Sequence, residues 1–200
     1  MRLVLIRHAE TVENAKGIVQ GQLSGRLSNK GIEQAKATAE LLKNERFDAV
    51  YSSDLGRARE TTSIIMRDRP DQAVITERRL REQSFGVYEG KPILEMLKRM
   101  KRERADFTTF APRGGENPAA FCLRVIKLYE ELKGKHRADN VLLVTHNGVI
   151  NVLLGLLVYD NSEAALDRIT SNGSITILTI DDSDVVTVET ENNTDHLRTI

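Results

Sequence analysis

Two short apolar runs, far apart in the chain, each deliver a histidine. Leu3-Val4-Leu5-Ile6 is followed by Arg7 and His8, and Val141-Leu142-Leu143-Val144 by Thr145 and His146. Branched aliphatic runs without polar alternation predict strands buried on both faces, as in a parallel sheet covered by helices. Ligands of open α/β sheets bind outside the carboxyl ends of the strands, near the switch in strand order. If the two strands are neighbours, both imidazoles enter one crevice.

The residues between them support that architecture. Ser28 predicts an N-cap for a helix with Ile32, Ala35, Ala39 and Leu42 on one face. Phe47–Tyr51 predicts a strand, and Asp54 the cap of a helix that buries Ala58, Thr62 and Ile65 and stops before Pro70. Val74–Thr76 predicts a third strand. Pro92–Arg104 predicts an amphipathic helix with Ile93, Leu94, Leu97 and Met100 inward and bases outward. Phe107–Glu116 reads as a loop, and Asn117-Pro118 as the start of a helix burying Phe121, Val125, Leu128 and Leu132. An apolar helix runs on to about Tyr159. Ile175–Ile180 and Val185–Val188 flank an aspartate-rich turn and predict a hairpin. Strands alternating with helices predict an α/β fold of three layers, a mostly parallel central sheet with helices on both faces. No repeat or linker divides the chain, so one domain over residues 1–200 is expected, with a lid at about 88–116.

Composition narrows the function. Lys+Arg and Asp+Glu number 29 each, so the formal net charge is zero, which excludes a surface built for non-specific nucleic-acid binding. The longest apolar stretch, Val149–Tyr159, is interrupted by Asn151 and Gly155 and falls short of the roughly 20 residues a bilayer requires. The single Cys122 cannot form an internal disulfide, and Met1–Glu10 lacks the ~7–15-residue apolar core of a signal peptide, so a cytoplasmic location is expected. Neither nucleic acid nor a membrane is expected as a partner. Pairing of two chains through the hairpin edge stays open.

Arginine placement supplies the phosphate argument. Arg57 and Arg59 fall in the first turn of a predicted helix, where the macrodipole disfavours cations. A first-turn arginine makes sense beside an anion held by backbone N–H groups, whereas the plain alternative pairs it with Asp54 or Glu60. Arg7, next to His8, adds a second guanidinium at a strand end. Two histidines suit nucleophilic or acid–base work, and Glu82 in Leu80-Arg81-Glu82-Gln83-Ser84-Phe85-Gly86 is a candidate proton donor for a departing alkoxide. No Walker A motif, His-Glu-x-x-His motif or Cys/His cluster is present, so neither a P-loop nor a metal site is expected.

Together these residues resemble the histidine phosphatase superfamily, also called phosphoglycerate mutase-like. The resemblance rests on five blocks in order: Arg7-His8-Ala9-Glu10-Thr11 with Asn14, Ser52 to Ala58, Leu80 and Glu82 with Phe85-Gly86 and Glu89-Gly90, Pro112 to Glu116, and Thr145-His146-Asn147-Gly148. It implies His8 as the nucleophile that becomes phosphohistidine, Glu82 as proton donor and then base, and His146 as the third catalytic group. It also implies Arg7, Asn14, Gln20, Gly21, Arg57 and Asn147 as the phosphate- and substrate-binding set. No cofactor or metal is implied. Ala9 stands where the family has glycine, Asn117 where serine is common, and Asn147 where many members have glycine.

Residues Ile18–Gln22, Glu82–Lys91 and Phe110–Glu116 are most similar to the fructose-2,6-bisphosphatase-like and broad-specificity phosphatase branches. Mutases of the family are usually longer and carry a tryptophan-containing loop; this chain has no tryptophan. The resemblance therefore implies a phosphatase acting on small phosphomonoesters such as sugar phosphates or bisphosphates, with a mutase and a non-catalytic phosphate-binding module as the alternatives. Lys98, Arg99, Lys101, Arg102 and Arg104 would either reach a second phosphate or form a solvated face, and charge runs favour the latter.

Overall fold

A computed structural model describes residues 1–161 and 164–200. Six strands form one sheet: β1 (Arg2–Arg7), β2 (Ala49–Ser52), β3 (Val74–Thr76), β4 (Asn140–Thr145), β5 (Ile175–Ile180) and β6 (Val186–Asn193). Their spatial order is β3-β2-β4-β1-β5-β6. The β1–β4, β2–β4 and β2–β3 pairs are parallel, whereas β5 and β6 extend the sheet antiparallel as a hairpin.

The pleat explains why β1 is apolar throughout. Leu3 and Leu5 enter a core shared with α5 (Pro118–Lys135) and α6 (Asn147–Leu157). Val4 and Ile6 point the other way, into a core containing Leu42 and Phe47 together with Ala58 and Ile65 of α3 (Gly56–Ile65). Alternate residues of one strand thus face opposite layers, and neither face is left wet. A one-turn helix, α1 (Val12–Ala15), follows β1, and on that second face α2 (Asn29–Leu41) packs against α3. The result is the three-layer α/β arrangement expected. Among the described residues, no helix is long and apolar enough to cross a membrane.

Local signals hold at most helix starts. Ser28 Oγ accepts from Gly31 N at 3.0 Å, and Asn117 Oδ1 accepts from Ala119 N at 2.9 Å with Pro118 in the first turn. Two expectations fail. Asp54 does not cap α3, whose N-cap is Leu55 with no side-chain bond. Its carboxylate is instead engaged by Arg81, with Nε donating to Oδ1 at 2.7 Å, because a charge-assisted pair outweighs a cap. In α4 (Ile93–Glu103), the buried residues are Met96 and Met100, while Ile93, Leu94 and Leu97 are exposed. The small core beneath α4 is formed by Val19, Met96, Met100 and Phe110, so α4 is rotated from its expected face.

Candidate active site

Strand register brings the two histidines together. Arg7 pairs with Thr145 across β1 and β4, so His8 and His146 leave adjacent strands at the same level. Their ring centroids lie 5.1 Å apart, and His8 N donates to Thr145 O at 2.9 Å. Both rings are almost wholly buried.

The hydrogen-bond network assigns the tautomer of His8. Nδ1 contacts Ala9 O at 2.8 Å, which can only accept, so Nδ1 carries the proton. Arg57 Nε donates to His8 Nε2 at 3.1 Å, so that nitrogen presents the lone pair. His146 is held through Nε2, which lies 2.8 Å from Ser53 Oγ, an oxygen that also accepts from Leu55 N at 3.3 Å. His146 Nδ1 and Arg7 Nε are buried with no hydrogen-bond partner among the described residues. A buried guanidinium N–H without a partner demands an acceptor, and one beside His8 fits an oxyanion.

Arg57 is the largest fully buried polar side chain of the site. Its three nitrogens are committed: Nε to His8, Nη1 to Leu23 O at 2.6 Å and Nη2 to Gly21 O at 2.8 Å. It pairs with neither Asp54 nor Glu60; Asp54 is taken by Arg81, and Glu60 accepts from Leu27 N at 2.9 Å. Arg59, the other first-turn arginine, is exposed. Burial lowers Arg57 and Arg7 to pKa values of about 10, partly offset by the Glu82 carboxylate, so both stay charged near neutrality. Arg7 Nη1 also donates to Thr170 O.

Burial also pushes both histidines well below their ordinary value, and the nearby Arg57 and Arg7 guanidinium groups push them further. The sign for stability follows. The unfolded chain takes up protons near pH 6.5 that the folded chain refuses, so the contribution is complete above that pH and is lost as pH falls through it. Two such groups give a limiting slope of about 2.7 kcal/mol per pH unit. Urea denaturation is therefore expected to show lower stability at pH 5.5 than at pH 7.5. A flat profile across that window contradicts neutral, buried imidazoles.

Glu82 is presented by a braced loop. Its Oε1 accepts from Gln83 N at 2.9 Å and its Oε2 from Gly148 N at 3.1 Å. Gly148 is required at that contact, because a Cβ there would stand 2.3 Å from Glu82 Oε1 and 3.0 Å from the Phe121 ring. Behind the loop, Arg124 forms a two-point pair with Glu116 at 2.8 and 2.7 Å. Its Nη1 also donates to Arg79 O at 2.6 Å and Arg81 O at 3.0 Å. The Pro112–Glu116 loop thus anchors the segment carrying Glu82.

The remaining expected residues divide. Asn14 and Gln20 line the cavity with Arg7, His8, Arg57 and Glu82. Asn14 Oδ1 accepts from Thr11 Oγ1 at 2.9 Å and Asn172 Nδ2 at 3.3 Å, which turns its N–H2 group the other way. Gly21 contributes its carbonyl to Arg57. Asn147 also lines the cavity, but its amide is engaged elsewhere, accepting from Thr170 N at 2.6 Å and donating to Arg168 O at 3.4 Å. Its side chain organises the 168–170 segment. Ala9 causes no crowding of the site: its methyl is fully buried with Leu27 and Ala35 in a small separate core.

Ser53, Arg124 and Asn172 were not anticipated as site residues. Ser53 and Arg124 act through other groups, and Asn172 donates to His8 O at 3.1 Å from a turn distant in sequence. Only Asn172-Gly173 carried a local signal, a turn with Gly173 at φ +70°.

Fold and site together define an α/β enzyme whose paired imidazoles and buried guanidiniums surround one anion position at the ends of parallel strands. The profile of the histidine phosphatase superfamily (branch 1) matches residues 3–194. The chain belongs to that superfamily, as a phosphatase. It is 34% identical to the broad-specificity phosphatase YOR283W of Saccharomyces cerevisiae, over 98% of this chain and 87% of that one. It is 32% identical to phosphoglycerate mutase-like protein 4 of Arabidopsis thaliana, over 98% and 86%. The solved structure of YhfR from Bacillus stearothermophilus superposes with a TM-score of 0.88 at 27% identity, covering 98% of this chain and 99% of that one.

Proposed function

We propose that this protein is a metal-independent phosphatase of small phosphomonoesters, working through a phosphohistidine on His8. The observation that carries the reading is the tautomer of His8: Nδ1–H is tied to Ala9 O, which leaves Nε2 unprotonated, its lone pair accepting from Arg57 Nε at 3.1 Å until phosphorus takes that place. A neutral imidazole held in this way is a nucleophile without prior deprotonation.

In the first step, Nε2 attacks phosphorus, the N–P bond forms and the P–O ester bond breaks. Glu82 serves as the acid, giving a carboxyl proton to the departing alkoxide. In the second step, Glu82 takes a proton from water as the oxygen attacks phosphorus, and the N–P bond breaks to release inorganic phosphate and neutral His8. Arg7, Arg57 and His146 stabilise the equatorial oxygens, where phosphoryl transfer concentrates charge. Ser53 acts as a positioning residue by holding His146 through Nε2. The guanidiniums supply the positive charge a metal would otherwise bring. The segment 88–116, which includes α4, serves as the lid of this site.

Turnover of p-nitrophenyl phosphate is expected to persist in excess EDTA. Rapid quenching is expected to trap a protein-bound phosphate that is labile in acid and stable in base. Activity abolished by EDTA and restored by a divalent ion would overturn the metal-independent reading, and a base-labile adduct would overturn the histidine nucleophile.

A further inference from the structure

The cavity continues well past the phosphate position, and its far wall changes character. The whole space measures about 390 Å³, large enough for a phosphoryl group and a sizeable leaving group. Besides Arg7, Arg57 and Glu82 and the uncharged amides of Asn14, Gln20, Gln83 and Asn147, the lining includes the apolar Phe85, Ile93, Met96, Leu97, Phe107 and Ile169. Phe85 and Phe107 meet edge to face with centroids 6.4 Å apart. Met96 is 1% exposed, whereas Leu97 is 37% and Ile169 83% exposed, so apolar groups stand at the mouth as well as in the depth.

The wall has little to offer a second anion. Apart from Arg7 and Arg57, its lining cation is Arg168. That guanidinium is paired with Glu191 at 2.9 Å and lies over the Tyr159 ring at 4.2 Å. Asp167 stands beside it, with Oδ1 accepting from Phe107 N at 3.3 Å. The bases of α4 do not reach inward: Lys98, Arg99, Lys101 and Arg102 line a separate, outer groove with Tyr88 and Glu95. With Met96 and Met100 packed beside Val19 and Phe110, α4 lines the cavity through Ile93, Met96 and Leu97, and its bases stay on the outer side as their pattern predicts.

We infer that the leaving group of the preferred substrate is an uncharged apolar alcohol, alkyl or aryl, rather than a second phosphate or a carboxylate. The inference rests on the phosphatase reading above and adds the substrate class. An apolar wall gains from every methylene it takes from water, while a second anion there would lose solvation and face Asp167 without a free cation. The selectivity is thus attraction for hydrocarbon combined with rejection of charge.

The test is kcat/KM along ethyl, butyl and hexyl phosphate, whose leaving alcohols are chemically alike, with 3-phosphoglycerate as the charged comparison. From ethyl to hexyl, kcat/KM is expected to rise roughly 10- to 200-fold, the upper figure being about fourfold per buried methylene. Hexyl phosphate is expected to exceed 3-phosphoglycerate. In Leu97→Lys and Ile169→Lys, changes at partly open positions, the hexyl-to-ethyl ratio is expected to fall and the 3-phosphoglycerate-to-hexyl ratio to rise. Thermal melting identifies any variant that fails to fold, and two positions keep the test available. A flat series, preference for 3-phosphoglycerate, or unchanged ratios in folded variants would overturn the apolar-alcohol inference alone. Absence of hydrolysis with every ester would overturn the phosphatase reading beneath it.

Discussion

Replacing His8 by alanine is expected to abolish the acid-labile phosphoprotein and to lower kcat by roughly 10⁴-fold or more, the scale at which loss of a covalent nucleophile is felt. Nothing nearby can substitute. His146 lies 5.1 Å away between centroids, and its Nε2 is engaged by Ser53 Oγ. The residual activity is expected to be insensitive to further loss of Glu82 as a general base toward the phosphoenzyme, because no such intermediate forms. Glu82→Gln in the unaltered His8 background separates the two roles: phosphoprotein from an ester with a poor leaving group forms slowly, whereas p-nitrophenyl phosphate, needing little acid assistance, still labels the protein. Quench-flow measurement of the label in both variants checks the assignment. Label on His8→Ala, or label lost equally from both esters in Glu82→Gln, runs against it.

Arg57→Met is expected to reduce kcat by roughly 10²- to 10³-fold, comparable to removing a preorganised donor from an oxyanion site. The loss has two physical origins. The charge that faces the developing oxyanion disappears, and the hydrogen bond that orients His8 Nε2 disappears with it. The carbonyls of Leu23 and Gly21 are left unpaired as well, so thermal stability should fall. Arg57→Lys tests whether charge alone suffices. An ammonium cannot span His8, Leu23 and Gly21 from one planar group, so Lys is expected to restore only a small part of the rate. Steady-state kinetics with a single aryl phosphate and a melting curve for each variant decide it. Full recovery in Arg57→Lys means that the geometry of the guanidinium is irrelevant.

The site residues differ in how legible they were. Arg57 was conspicuous because a cation in the first helical turn opposes the helix dipole, and its burial shows what that placement serves. His8 and His146 were conspicuous because each ends an apolar strand, and the register of β1 with β4 brings them together. Asp54 misled, since cap chemistry is local while its partner Arg81 arrives from another loop. The face of α4 misled for the same kind of reason. Leu94 and Leu97 are stronger hydrophobic signals than Met96, yet the helix turns to where Val19 and Phe110 can be met. Arg124 carried no signal of its own, and Ser53 and Glu116 lie in blocks of the resemblance that gave them no role, because each works by bracing a group that lies far away along the chain.

What the amino-acid order determined by itself is the alternation of buried strands with helices, the cysteine-poor and charge-balanced composition, and two histidines at strand ends. These follow from short-range rules: burial pattern, capping and turn chemistry act over a few residues. What only the tertiary structure decided is the commitment of Arg57 to two carbonyls and an imidazole, and the apolar part of the lining of the leaving-group space. Each depends on hydrogen bonds or contacts between residues far apart in the chain, and their geometry exists only once the sheet has assembled. The helix α4 shows the difference most plainly. Its sequence already sets the bases outward, while only the fold shows that Ile93, Met96 and Leu97 line the cavity of the site.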